Sequence, residues 1–226
     1  SFAGVQNMVL SKEKIWGINK NNELVVSNGQ SLPPTVVAKG ISAFSIKEND
    51  IYYLTTQGAL HHATFDGAIL DQDQVLAGNV PTGTHTNIYT DSAKAVYVLT
   101  DKKLLRINSS ATEIATNVTK ASAASGTLSY TTPGELTWPN SSTNKPQLIS
   151  RSSQPLTESY VDPSLQYAFF TQGEELVALE LDDNSGQNRY VLDTGAIDTP
   201  LTDLLLIRNE ALLYRAGNSL KSLVVR

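Results

Sequence analysis

Residues 50–60 of the chain read Asp-Ile-Tyr-Tyr-Leu-Thr-Thr-Gln-Gly-Ala-Leu. The first part is an apolar, aromatic run with the composition of a β-strand, and a Gln57-Gly58 turn separates it from a second apolar run. A tight turn between antiparallel strands requires residues that tolerate unusual φ values, glycine above all. This stretch therefore predicts a β-hairpin.

Variants of the hairpin return along the chain. Each copy has aromatic or branched residues, then a turn, then a second apolar run, and the copies begin at Ile15, Ile51, Val96, Leu128, Tyr167 and Leu212. Their spacing, roughly 32 to 45 residues, is the period of propeller blades of four strands each. The sequence thus predicts an all-β fold, a six-bladed β-propeller of four-stranded antiparallel blades. A β-sandwich is the alternative, but it does not explain a sustained repeat.

We expect one domain over residues 1–226, with blades at residues 7–39, 40–78, 79–117, 118–151, 152–194 and 195–226. The last repeat supplies only three strands, so residues 1–6 are predicted to be the N-terminal strand that closes the last blade. Residues 202–215 are rich in helix formers and alone would be read as a helix. The repeat predicts two strands there, with a turn at residues 208–210, and propensity is a weak prior against tertiary context.

Composition excludes several classes of function. The formal net charge is −5, and without a basic cluster nucleic acid is not expected as a partner. There are no cysteines, so a disulfide scaffold, a thiol nucleophile and a zinc-thiolate site are excluded. No apolar run is long enough to insert into a membrane. A Cys-free chain rich in Thr and Asn favours an extracytoplasmic location, in the cell envelope or secreted, with any membrane anchor in a segment upstream of Ser1.

The strands Ile51-Tyr52-Tyr53-Leu54-Thr55 and Val96-Tyr97-Val98-Leu99-Thr100-Asp101 resemble the Tyr-Trp-Thr-Asp strand of low-density-lipoprotein-receptor-type six-bladed propellers. They look closer still to bacterial propellers of that kind, found at the C-terminus of envelope proteins behind a PEGA module. Only the third blade has the acid, Asp101. In the receptor family those positions are mainly structural, so the resemblance implies a fold and a habit of binding ligands outside the cell, and no functional residue carries over.

The sequence offers few catalytic or metal-ligating patterns. His61 and His62 are adjacent on a predicted strand and point to opposite faces, so we expect one packed and one solvent-facing side chain rather than a metal pair. Residues 182–186 faintly resemble a calcium loop but lack the distal Glu, and a turn explains them better. Glu158, Asp162 and Asp203 are the carboxylates to test for glycoside chemistry. Trp138 is either an exposed platform for a ligand or a packed strand residue.

In a propeller, the turns between second and third strands and the loops that lead into first strands share one face. The residues predicted to form a binding surface there are Asn21, Asn22, Gln57, His85, Lys102, Lys103, Glu158, Gln172 and Asn218. This set is rich in amides, which donate and accept hydrogen bonds and suit peptide backbone or sugar hydroxyls.

We therefore expect a non-catalytic extracytoplasmic module that binds a protein, peptide or glycan, without cofactor or metal, as a monomeric domain of a larger chain. The alternatives are a carbohydrate-active enzyme with carboxylates in the channel and a purely structural domain of an envelope protein.

Overall fold

A computed structural model describes residues 5–27, 34–67, 69–123, 126–139, 146–162, 166–181, 187–196, 201–207 and 211–224 of the chain. Within these ranges the strands form six antiparallel sheets, five of four strands and one of three. Strands that follow one another along the chain are neighbours in each sheet. The predicted all-β class and the four-stranded antiparallel meanders are confirmed.

The first three sheets occupy the N-terminal half of the chain. The first sheet contains β1 (Val5–Ser11), β2 (Lys14–Asn19), β3 (Glu23–Ser27) and β4 (Thr35–Lys39). The second contains β5 (Ile41–Lys47), β6 (Asp50–Thr55), β7 (Leu60–Phe65) and β8 (Leu70–Ala77). The third contains β9 (Thr86–Thr90), β10 (Val96–Thr100), β11 (Lys103–Ile107) and β12 (Ala111–Ala115).

The other three sheets occupy the C-terminal half. The fourth contains β13 (Lys120–Ser122), β14 (Ser129–Thr132), β15 (Glu135–Pro139) and β16 (Pro146–Arg151). The fifth contains β17 (Leu156–Val161), β18 (Tyr167–Gln172), β19 (Glu175–Glu180) and β20 (Arg189–Thr194). The sixth contains β21 (Leu201–Ile207), β22 (Ala211–Ala216) and β23 (Ser219–Val224).

The chain divides into two compact units. Unit 1 comprises residues 1–90 and 96–113, and unit 2 comprises residues 91–95 and 114–226. Unit 1 therefore holds the first three sheets apart from the end of β12, and unit 2 holds the last three. The prediction of a single domain over residues 1–226 stays a prediction.

Buried residues on both faces of the middle strands explain why these strands lack a polar face. In β6, Ile51 and Tyr53 pack with Trp16 in a core between the first and second sheets. Tyr52 and Leu54 point to the other face and pack with a core between the second and third sheets. A strand buried on both faces reads as a continuous apolar run, and each buried large side chain contributes about 2 kcal/mol.

Unit 2 repeats this packing. In β18, Ala168 and Phe170 pack in a core shared by the fourth and fifth sheets. Phe169, on the opposite face, packs with Leu212 and Tyr214 of the sixth sheet. The aromatic middle strand that recurs in the sequence is thus the strand that packs against two neighbouring sheets.

The N-terminal strand differs from the prediction. Val5 and Gln6 were expected to close the last blade, but they pair with Asn19 and Ile18 and extend β1 of the first sheet. A register shift between Gln6 and Val9 carries the pairing across an irregularity that the sequence pattern does not reveal. Residues 1–4 lie outside the described residues, so the rest of this prediction is untested.

The segment with conflicting signals forms two strands, as the repeat predicts. Residues 201–207 are β21 and residues 211–216 are β22, and Leu205 pairs with Leu213 across them. The turn at residues 208–210 lies outside the described part of the chain. Tertiary pairing has overridden local helix propensity here.

Candidate functional site

Backbone hydrogen bonds join the turns between second and third strands to the segments that lead into first strands. In unit 1, the Ile41 N–H donates to the Asn22 carbonyl (2.7 Å) and the Thr56 N–H donates to the Gly40 carbonyl (2.7 Å). The Val80 N–H donates to the Gly58 carbonyl at 2.8 Å. These bonds bring turns and linkers together on one side of unit 1. We call this side, around Asn22, Gly40, Thr56, Gly58 and Val80, the turn face.

The third sheet joins the turn face in the same way, and its acid has a structural role. The Asp101 N–H donates to the His85 carbonyl at 3.4 Å. The Asp101 carboxylate accepts from the Thr84 N–H at 3.2 Å. Asp101 therefore ties its turn to the loop that leads into β9, as the family resemblance implies.

Unit 2 uses equivalent bonds. The Ser152 N–H donates to the Gly134 carbonyl (2.9 Å), and the Gly173 N–H donates to the Pro155 carbonyl (3.0 Å). The Gly195 N–H donates to the Glu174 carbonyl at 2.7 Å. Glycine recurs at these turns because the backbone of a linker lies close to the backbone of the turn. Gly58 and Gly173 also adopt φ values of 84° and 58°.

The structure leaves the predicted site residues of unit 1 exposed on the turn face. These residues are Asn21, Asn22, Gln57, His85, Lys102 and Lys103. Asn22 and Lys102 have left-handed φ values of 57° and 66°, which orient them at the tips of their turns. Lys103 begins β11 and its ammonium lies 3.6 Å from Glu113.

Two of the three predicted site residues in unit 2 are already bonded within that unit. Glu158 on β17 is buried, and its carboxylate accepts from Lys120 Nζ at 3.1 Å. The Gln172 side-chain amide donates to Ser152 Oγ at 2.9 Å. Asn218 is exposed at the turn between β22 and β23. The sequence showed where these residues lie in the repeat but not the bonds that occupy them.

Two of the three candidate carboxylates of an enzyme, Glu158 and Asp203, are paired with cations. Glu158 holds Lys120, and Asp203 lies 3.2 Å from the Arg215 guanidinium. Residues 182–186, the faint calcium loop, lie outside the described residues.

Trp138 is a packed strand residue rather than a free platform. It lies on β15, packs against the core of the fourth and fifth sheets, and donates its indole N–H to the Gln147 side-chain oxygen at 2.8 Å.

The adjacent histidines point to opposite faces of β7, as predicted. His61 stacks on Tyr53 with ring centroids 4.7 Å apart, and His62 stacks on Tyr52 at the same distance. The expectation of one packed and one solvent-facing histidine is wrong, because their side chains expose similar fractions, 19% and 22%. The tight hairpin fixes both pairs, since Tyr52 lies opposite His62 and Tyr53 opposite His61.

Each histidine also binds a carboxylate, which the sequence analysis missed. His61 Nδ1 lies 3.0 Å from Asp73 Oδ1, and the Tyr53 hydroxyl donates to Asp73 Oδ2 at 2.6 Å. On the other face, His62 Nε2 lies 2.9 Å from Asp50 Oδ1. Burial and the bond to Asp73 raise the pKa of Tyr53, so its hydroxyl stays a donor.

A second Tyr–Asp pair lies in unit 2. The Tyr214 hydroxyl donates to Asp193 Oδ2 at 2.7 Å, and Lys221 Nζ donates to the same oxygen at 2.8 Å. The bonds from Lys221 and Tyr214 lower the pKa of Asp193. Burial, together with this carboxylate, raises the pKa of Tyr214 to about 12.

Two features are absent from the described residues. No group of three or more His, Asp or Glu side chains there is arranged to hold a metal ion. Across the same ranges, no helix has the length and apolar character needed to cross a membrane.

Comparison with known proteins identifies the fold. No family model matches the chain and no curated protein matches it, so the resemblance to receptor-type propellers rests on the strand motif alone. Among solved structures, YCF48 bound to a D1 peptide superposes with a TM-score of 0.66 at 10% identity, over 97% of this chain and 76% of that one. A virginiamycin B lyase from Staphylococcus aureus, solved with quinupristin, has a TM-score of 0.63 at 12% identity, over 98% and 80% of the two chains.

A third solved structure is the extracellular domain of a putative hybrid two component system from B. thetaiotaomicron. It superposes with a TM-score of 0.65 at 12% identity, over 96% of this chain and 32% of that one. YCF48 and the lyase are β-propellers. At these identities the likeness identifies the β-propeller fold and nothing finer.

Proposed function

We propose that this chain is a non-catalytic β-propeller module that binds a protein or peptide through the turn face of unit 1. The observation that carries the proposal is the set of exposed amide and ammonium side chains held on one side of that unit by backbone bonds between its turns and linkers. Amide side chains both donate and accept hydrogen bonds and ammonium groups donate them, which suits a peptide backbone. Sugar hydroxyls have the same requirement, so a glycan is the second ligand class to test.

The solved structures of the same fold support this proposal by analogy. One is a propeller bound to a peptide and one is an extracellular domain. We propose that the chain acts outside the cytoplasm, as a domain of a longer envelope or secreted protein. The extracellular neighbour and the resemblance to propellers behind PEGA modules support this proposal. The analogy is one of fold and carries no residue with it.

The test is a screen of peptide and glycan arrays with the purified chain and a turn-face variant that combines Asn21→Ala, Gln57→Ala and Lys102→Asn. Asparagine is chosen at position 102 because it tolerates the left-handed φ that alanine does not. We expect the variant to bind the selected ligand at least about tenfold more weakly, a loss of about 1.4 kcal/mol.

The matched control combines Lys12→Asn, Gln74→Ala and Thr112→Ala, three exposed positions of unit 1 outside the turn face. Lys12 also has a left-handed φ, of 47°, so the backbone change is comparable. The control should bind as the unmodified chain does. Equal affinity of the turn-face variant and the unmodified chain would contradict the proposed surface.

A further inference from the structure

A groove lies in unit 1, and none of its lining residues is among the site residues assigned to the turn face. One wall is β4, and the other is the neighbouring face of the second sheet. Val36, Val37, Ile69 and Leu70 supply apolar surface, and Ile69 is 62% exposed. A polar cluster of Tyr53, His61 and Asp73 also lines the groove.

Hydrogen-bonding neighbours fix the position of the Asp73 carboxylate, but its oxygens can still accept further hydrogen bonds. One oxygen accepts from the Tyr53 hydroxyl and the other faces His61 Nδ1, at 2.6 and 3.0 Å. Each carboxylate oxygen accepts more than one hydrogen bond, and the Asp73 side chain remains 43% exposed. The bonds to Tyr53 and His61 hold the carboxylate still while leaving it open to a further donor.

Among the described residues, no lysine or arginine forms an ion pair with Asp73. Lys39 also lines the groove, but its ammonium lies 3.6 Å from the Glu23 carboxylate. The carboxylates of Asp73 and Glu23 and the ammonium of Lys39 together sum to one negative charge. A cationic occupant is therefore complementary to the groove.

A related Tyr–Asp pair with a bound cation occurs in unit 2. In unit 2, Asp193 accepts from the Tyr214 hydroxyl and from the Lys221 ammonium, which lies 5.9 Å from the centre of the Tyr214 ring. In unit 1, the described ion pairs of Asp73 include His61 but no lysine or arginine. Lys221 is the cross-strand partner of Tyr214, and its counterpart beside Tyr53 is His61, so Asp73 has a histidine neighbour where Asp193 has an ammonium.

The other wall of the groove suits an extended chain. β4 is the last strand of its sheet and pairs with β3 on one side. It begins with four uncharged residues, Thr35 to Ala38, whereas the corresponding strand of the second sheet, β8, carries Asp71 and Asp73. Charges on edge strands oppose the addition of another strand, and β4 lacks them over this run.

We propose that this groove binds an extended peptide of a partner protein, which pairs its backbone with β4 and places an arginine on Asp73. Arginine fits better than lysine because its planar guanidinium bonds a carboxylate in bidentate fashion and stacks on aromatic rings. The His61 ring, which is stacked on the buried Tyr53 and is itself 19% exposed, provides such a surface. The inference takes the peptide class of partner from the proposed function and assigns it a second surface.

The test measures binding of a fluorescein-labelled peptide, Ser-Thr-Val-Arg-Val-Thr-Ser, to the full chain by fluorescence anisotropy. Two altered peptides separate the two contacts: one has glutamine in place of arginine, and one has both valines N-methylated, which removes backbone donors. We expect each altered peptide to bind at least about tenfold more weakly than the parent. Because these comparisons use the unmodified protein, they do not depend on whether a variant folds.

Two protein variants complete the design. Asp73→Asn should weaken binding of the arginine peptide at least about tenfold, while the affinity for the glutamine peptide should not change. Asp193→Asn, the matched change in the Tyr–Asp pair of unit 2, should leave both affinities unchanged. Three outcomes would each overturn the groove proposal. The parent peptide could fail to bind at about 1 mM, the N-methylated peptide could bind as tightly as the parent, or free arginine amide could bind as tightly as the parent peptide.

The turn-face variant distinguishes the two proposals. Peptide binding that is lost in that variant but kept in Asp73→Asn would place the peptide on the turn face, which overturns the groove and leaves the proposed function standing. Binding lost in Asp73→Asn and kept in the turn-face variant supports the groove.

Discussion

At the scale of single residues, the two Tyr–Asp pairs show how one motif serves two purposes. Beside Asp193 the cation comes from the chain itself, so the pair is a structural contact between the fifth and sixth sheets. Beside Asp73 the described residues supply a histidine instead, and the carboxylate stays more exposed, at 43% against 24% for Asp193. The first pair should therefore affect stability, and the second should affect binding.

The lowered pKa of Asp193 predicts how the free energy of unfolding depends on pH. Its stabilising contribution is present above the ordinary value of 3.8 and is lost as the pH falls through the lowered pKa. Asp193→Asn should cost about 1 kcal/mol in the free energy of unfolding near neutral pH, and the difference from the unmodified chain should shrink below about pH 4. Urea unfolding at several pH values measures this.

The comparison variant is Asp203→Asn, whose ion pair with Arg215 is more than half exposed on both sides. Exposed pairs contribute little, so its cost should stay within about 0.5 kcal/mol. A difference for Asp193→Asn that is constant across the pH range would contradict the assignment.

At the scale of elements, the repeat predicted most strands because a strand buried on both faces has a distinctive apolar composition. The strand lengths and the irregularities in strand pairing could not be predicted from the sequence. For example, β1 extends to Val5 through a register shift, whereas the sequence predicts that Val5 belongs to the last blade. The Asp73 cluster was missed for a similar reason. Pairing between β7 and β8 shifts register twice, so counting from the hairpin does not bring Asp73 to His61.

The recurring turn glycine gives a prediction at this scale. A Cβ on Gly58 would lie 2.6 Å from the Val80 carbonyl oxygen, at a φ of 84° that side chains disfavour. Gly58→Ala should therefore lower the free energy of unfolding by about 2 kcal/mol or more. Gly78→Ala is the matched change, since no atom lies within 4 Å of its Cβ position, and it should be neutral or stabilising by about 0.5 kcal/mol. The denaturant midpoints of the two variants measure this difference. Equal midpoints would show that the close contact between Gly58 and Val80 does not affect stability.

At the scale of the whole molecule, each compact unit contains one of the two tryptophans. Trp16 is buried in unit 1 and Trp138 lies on β15 in unit 2. Two variants with a single tryptophan, Trp138→Phe and Trp16→Phe, thus report the unfolding of the two units separately.

Leu60, fully buried in the core of the second and third sheets, tests how independent the units are. Leu60→Ala should cost about 3 kcal/mol through lost burial and a cavity. In repeat architectures each sheet contacts only its neighbours, so the Trp16 fluorescence transition should shift to lower denaturant more than the Trp138 transition. Identical shifts would mean that the chain unfolds in one step.

The order of strands has a kinetic consequence. Because strands that follow one another along the chain are neighbours in every described sheet, most pairings join residues close in sequence. Short sequence separation lowers the loop-closure entropy that slows β-sheet formation. Each sheet of unit 1 has all its strands once the ribosome has released that segment, so this all-β chain should acquire structure during synthesis, sheet by sheet from the N-terminus.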